Sequence, residues 1–187
     1  MRKETNPEFY EMWSKPMFSL YDYLPTKYEA SPREWAVREL IWAFKDGKRS
    51  SEVAEKVAKA LRDRFGSFTD TLTLVCIPAH DADTNQARYE EFSKELCRMT
   101  GMTNAYNHIH VEGERYTIHE SRDGETEKQF EAAYTVSFDK EWFNGRRVII
   151  FDDILTKGVS YARLACLLNL FGAEIAGGCF LGHTMLS

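Results

Sequence analysis

The thirteen-residue segment at 148–160, Val-Ile-Ile-Phe-Asp-Asp-Ile-Leu-Thr-Lys-Gly-Val-Ser, limits the fold of this chain more than any other stretch. Four consecutive apolar residues, three of them β-branched, describe a strand buried on both faces, the habit of parallel sheets covered by helices. The strand is expected to end in Asp152 and Asp153 and to pass through a short Thr/Gly/Ser loop into a helix over residues 158–171. In that helix Ala162, Ala165, Leu168 and Phe171 face inward, and Gly172 lies beyond it. Open α/β sheets bind ligands at the carboxyl ends of their strands. Backbone N–H groups at a helix start, aided by the helix dipole, form a cradle for phosphate. Gly158 permits close backbone approach, and the Thr156 and Ser160 hydroxyls can donate to phosphate oxygens. Carboxylates aimed at a phosphate would repel it, so Asp152 and Asp153 are expected to face hydroxyl groups of the same ligand. A sugar phosphate has that shape.

The rest of the chain supplies the parts of an α/β domain. Ser31-Pro32-Arg33-Glu34 reads as a helix start with a serine cap, proline in the first turn and a glutamate that closes a capping box. That helix is expected to run to Lys45, ahead of Asp46-Gly47. A second helix is expected over 50–65, where Val53, Val57, Leu61 and Phe65 share a face. Residues 72–77 form another short apolar run, bounded by Pro78, that leads through a loop to a helix over 84–100. Phe92, Leu96 and Met99 point inward there, and Gly101 is the stop. Residues 106–119 suggest a hairpin turning at Glu112-Gly113, 120–128 a highly charged loop, and 178–182 a last strand. Residues 1–30, rich in aromatics and broken by Pro7, Pro16 and Pro25, are expected to be an irregular arm on a single domain spanning 31–187.

Bulk properties set the class and narrow the partners. The chain has 187 residues, 43% hydrophobic and 28% charged, so a packed core is expected. With 24 basic and 29 acidic side chains the net charge is −5, which makes direct nucleic-acid binding an unlikely activity. Cys76, Cys97, Cys166 and Cys179 are widely spaced in apolar stretches and read as core thiols of a reducing compartment. No window approaches a membrane span and the first residues are polar, so the expectation is a cytoplasmic protein with no membrane partner.

The strand, acid pair and loop at 148–160 resemble the fingerprint of the type I phosphoribosyltransferases: apolar residues, two acids, two variable residues and a Thr-Thr-Gly-x-Thr-like loop. The resemblance extends over roughly residues 33–184. It is nearest to the ComF-like, competence-associated branch, through 38–48 at a lysine-containing helix end and Val75-Cys-Ile-Pro-Ala-His80 at the pyrophosphate loop. Lys157 stands where a threonine is usual, the branch's cysteine zinc module is absent, and its Arg-Gly-Phe-Asn stretch is echoed only by Asn85, Arg88 and Phe92. The resemblance implies a type I phosphoribosyltransferase fold, a mainly parallel sheet flanked by helices with a flexible hood loop. It implies that Asp152 and Asp153 contact the ribose hydroxyls and act in catalysis. Thr156, Lys157, Gly158, Val159 and Ser160 would hold the 5′-phosphate of phosphoribosyl pyrophosphate (PRPP). Pyrophosphate would meet Ala79, His80, Asp81 and Arg88, and the hood at 119–128 would bring Arg122 and Lys128 over the site. The implied cofactor is Mg²⁺, held mainly by PRPP with no protein side chain assigned as a metal ligand, and the acceptor is a nucleobase-like amine. A homodimer is possible by the same resemblance. A regulatory or competence-related (DNA uptake) protein that binds PRPP or a nucleotide without turnover is the competing reading.

No G-x-x-x-x-G-K-[ST] is present, which removes a P-loop. A response regulator needs its acids near the first strand, and this pair lies late in the chain. His108 and His110 fall on one strand face but lack an evident third ligand. His183 and Thr184, at the end of the last strand, are candidates for a base contact.

Overall fold

The computed structural model describes residues 7–112 and 135–185. Its elements in chain order are α1 (Pro7–Trp13), β1 (Met17–Tyr23), α2 (Pro32–Lys45), α3 (Ser50–Phe65), β2 (Thr73–Cys76), α4 (Ala82–Thr100) and β3 (Thr103–Asn104). They continue with β4 (Ile109–Glu112), β5 (Thr135–Phe138), α5 (Lys140–Phe143), β6 (Arg147–Leu155), α6 (Val159–Leu170) and β7 (Glu174–Thr184). Local signals account for the central helices. Ser31 accepts from the Glu34 amide while the Glu34 carboxylate takes the Ser31 N–H at 2.7 Å, a complete capping box on α2. Gly101, in the left-handed region, ends α4, and the Asp81 side chain caps its start by accepting from Thr84 N–H at 2.6 Å.

Five strands form one all-parallel sheet in the order β1-β7-β6-β2-β3. Two buried clusters cover its faces. One gathers α2, α3 and α4 over Leu74, Ile149 and Phe151, and the other gathers α1 and α6 over Val75, Val148 and Ile150. The alternation along 148–151 therefore sends successive apolar residues to opposite layers, as a doubly covered parallel strand requires. The chain is α/β, with a mostly parallel five-stranded sheet flanked by helices. Among the described residues no helix is long and apolar enough to cross a membrane.

Three sequence expectations change. The first thirty residues are not an irregular arm where they are described: they form α1 and the edge strand β1, whose Met17 to Tyr23 pair in register with Gly178 to Thr184. Proline and aromatic density masked a strand whose partner among the described residues, β7, lies more than 150 positions away in the sequence. The strand does not end at its two acids, because β6 continues past Asp152 and Asp153 to Leu155, held by β7 as far as His183. The hairpin partner of β4 is β5, with Glu112 opposite Thr135, so the expected turn at Glu112-Gly113 does not close this ladder. Arg122, Lys128 and the rest of the expected hood lie outside the described residues.

Arg38 fixes the segment between β1 and α2. Its side chain is 2% exposed and donates to three backbone carbonyls, Leu24 at 2.8 Å, Pro25 at 2.6 Å and Tyr28 at 2.9 Å. The guanidinium thus acts as a clip for three carbonyls, and, after the Ser31 hydrogen bonds, its charge also helps to hold the nearby Glu34 carboxyl below its ordinary range.

Candidate active site

Strand order determines where a ligand can sit. From β2 the chain crosses by α4 to β3 on one side, and from β6 it crosses by α6 to β7 on the other, with α4 and α6 on opposite faces. The carboxyl ends of β2 and β6 are neighbours at that reversal, the crevice position of open α/β folds. A cleft of about 250 Å³ opens there, lined by Ile77 after β2, Asp152, Ile154 and Leu155 of β6, the loop 156–158, Val159 to Tyr161 of α6, and Phe180 of β7.

The loop has the features of an anion cradle. Gly158 caps α6 with φ +71° and no side-chain cap bond. The first bond of the helix runs from Ala162 N–H to the Gly158 carbonyl at 2.9 Å, which leaves the amides of 159–161 without helical acceptors. Thr156, Lys157 and Ser160 are exposed, Gly158 is buried and Val159 is half-buried. A β-carbon on Gly158 would lie 2.9 Å from Trp13 Nε1 and 3.5 Å from Met17 Cε, so α1 and β1 press against the outer side of the loop. That contact was not legible in the sequence.

The two aspartates, adjacent in sequence, have separate surroundings. Asp153 is 5% exposed and faces the α2/α4 layer, where Arg88 Nη1 lies 2.9 Å from Oδ2 and Lys45 Nζ 3.5 Å from Oδ1. Arg88 also donates through Nε to the Lys45 carbonyl at 3.1 Å. Asp152 lines the cleft. Its Oδ1 accepts from Tyr89 OH at 3.1 Å and from the Asp153 amide at 2.8 Å, while Oδ2 has no partner among the described residues. Burial, reinforced by the neighbouring charge of Asp153, raises the Asp152 carboxyl to about 7, against the smaller opposing pull of those two hydrogen bonds and of Arg88. Asp152 is therefore the acid turned toward the cleft, and Asp153 is a neutralised strut that anchors the strand end to two helices.

The residues expected at pyrophosphate are arranged differently from the expectation. Ala79 N–H is already bound by Asn85 Oδ1 at 3.0 Å. The Asp81 carboxylate occupies the α4 start, its pKa held down chiefly by the Thr84 amide, and exposed His80 leans on it at 2.7 Å. Arg88 is engaged by Asp153, and none of these four lines the cleft. They form a neighbouring rim beyond β2. An acid at the helix start takes the position an incoming anion would want, which is the physical reason this loop is closed in the present arrangement.

His108 and His110 converge on one acid, Asp139, at 2.8 and 3.2 Å, and His108 stacks on Trp142 with ring centres 3.8 Å apart. That trio ties the β4–β5 ribbon to α5, and among the described residues no group of three or more His, Cys, Asp or Glu is arranged to hold a metal ion. His183 is exposed at the end of β7 opposite Leu155, while Thr184 is buried. Sequence reasoning missed Lys45 and Tyr89, the side chains that hold the aspartates; their contacts span 108 and 63 positions and carry no local signature. No protein-family model matches this chain, and no curated protein matches it.

Proposed function

We propose that the cleft between β2 and β6 binds PRPP and that the chain is a phosphoribosyltransferase of the type I fold, with affinity to the ComF-like branch. The observation that carries this reading is Asp152 Oδ2 beside the start of α6: among the described residues that oxygen, the first three amides of the helix and the Thr156 and Ser160 hydroxyls have no partner. One ligand with a phosphate and vicinal hydroxyls a few ångströms away satisfies both groups at once. In this reading the 159–161 amides with Thr156 and Ser160 hold the 5′-phosphate, and Lys157 adds a cation at the rim. Asp152 Oδ2 accepts from a ribose hydroxyl, while Asp153, clamped by Arg88 and Lys45, keeps the strand end in place.

The reaction would join the nitrogen of a nucleobase-like amine to the anomeric carbon as the carbon–oxygen bond to pyrophosphate breaks. Positive charge gathers on the sugar during that exchange, and an ionised Asp152 nearby stabilises it electrostatically. Mg²⁺ fits the donor set, since it is commonly held by one or two carboxylates together with substrate phosphates and Asp152 is the carboxylate lining the cleft. When bound it would neutralise charge on the leaving pyrophosphate. The reading includes a cytoplasmic, reducing setting, supported by four free cysteines, and a dimer as the working assembly.

A second reading has one specific support. The rim that would grip pyrophosphate is self-satisfied, with Ala79, His80, Asp81 and Arg88 each engaged within the chain. That arrangement favours a regulatory or competence-related module that binds PRPP or a nucleotide without turnover. Incubation with PRPP, Mg²⁺ and a panel of bases separates the two. Base-dependent release of pyrophosphate supports the enzyme, binding without release supports the sensor, and no binding of either PRPP or ribose 5-phosphate refutes both.

A further inference from the structure

Tyr161 is the third residue of α6 and lines the cleft beside the loop. It is 1% exposed, and its hydroxyl is the one buried side-chain polar atom without a hydrogen-bond partner among the described residues. Its ring is accommodated by a missing side chain: a β-carbon on Gly178 would lie 2.9 Å from Tyr161 Cε2 and 3.0 Å from Cδ2. Phe180 packs edge-on against the ring at 6.0 Å. Every one of these contacts is apolar and would serve a phenylalanine equally well. A buried hydroxyl with no acceptor is a cost to the empty fold, since such groups are almost always paired in native structures. Its persistence in the lining of a cleft points to an acceptor that arrives from outside.

We propose that the Tyr161 hydroxyl is a ligand-binding group that donates to an oxygen of the sugar phosphate held in this cleft, completing a cradle otherwise made of backbone amides. The inference rests on the reading of the cleft as a sugar-phosphate site and adds to it the donor at its inner wall. Burial keeps the phenol protonated well past the pH of any working assay, so it acts as a donor and not as a base. A neutral donor there strengthens binding without adding charge, in line with a site that already holds one acid and several amides.

Tyr161→Phe tests this because the two roles predict opposite shifts in melting temperature and a loss against no change in affinity. Without ligand, the variant should melt higher than the wild type by about 2–4 °C, because a group with an unmet hydrogen bond has been removed. Titration calorimetry with ribose 5-phosphate and with PRPP should show affinity about tenfold weaker, equivalent to about 1.4 kcal/mol. A purely structural hydroxyl would lower the melting temperature and leave affinity unchanged, and that result overturns the inference. Wild-type binding with equal binding by the variant overturns the inference alone. Failure of the wild type to bind either ligand removes the sugar-phosphate reading itself, and this proposal with it.

Discussion

Asp152→Asn should make the protein more stable at alkaline pH and leave it nearly unchanged at acid pH. The carboxyl moves from its ordinary 3.8 to about 7 in the folded chain, chiefly through burial and secondly through the charge of Asp153. A raised carboxyl binds its proton more tightly folded than unfolded. Its contribution is therefore neutral below pH 4, turns unfavourable as pH rises from 4 to 7, and reaches its full penalty above 7. A change of that size corresponds to about 4 kcal/mol, and water entering the cleft reduces it to about 2 kcal/mol in practice. Asparagine keeps an oxygen for the Tyr89 hydroxyl and the Asp153 amide, so little else is lost. Urea unfolding followed by tryptophan fluorescence at pH 5 and pH 8.5 reads the effect. With a slope of about 2 kcal/mol per molar urea, the midpoint of the variant should exceed that of the wild type by about 1–2 M at the higher pH. Parallel pH profiles for the two proteins would refute the argument. The same variant should lose most of its affinity for ribose 5-phosphate, the mark of a residue kept for binding at the expense of stability.

Asp153→Asn should have the opposite sign: Arg88 and Lys45 lose their acid, stability drops by about 3 kcal/mol, and the pH-dependent step of Asp152 shifts toward acid; an unchanged urea midpoint would contradict the strut assignment. Arg38→Met leaves three carbonyls without their donor and should cost about 3 kcal/mol in chemical denaturation, with little change if those carbonyls find other partners. Gly158→Ala forces a side chain into φ +71° and to 2.9 Å from Trp13 Nε1; a loss of about 1–2 kcal/mol and a shifted tryptophan emission are expected, and an unaltered spectrum would count against that contact.

Much of the scaffold was legible because its signals are local. The capping box at Ser31, the every-fourth-residue stripe of α3 and the glycine after α4 fixed those helices from neighbouring residues alone. The apolar run at 148–151 gave a central parallel strand, and the loop after it gave α6, whose first turn lines the cleft. What escaped was set by partners distant in sequence. Met17 to Tyr23 becomes a strand because β7 offers a free edge, and β6 extends through two acids because β7 runs alongside it to His183. Adjacent aspartates looked like a matched pair, yet alternation along a strand turned one to the cleft and the other to α2 and α4. The empty hydroxyl of Tyr161 has no signature in a sequence, since it depends on what a packed core fails to provide.

The pairing of the first strand with the last orders events during synthesis. The aromatic face of β1 emerges from the ribosome long before β7 exists, and during that interval its edge has no native neighbour. A chain wired in this way can assemble α2 through β3 early, but its sheet closes only after translation has passed the final strand. Chaperone contacts, and any aggregation under stress, should therefore map to the stretch around Met17 to Tyr23.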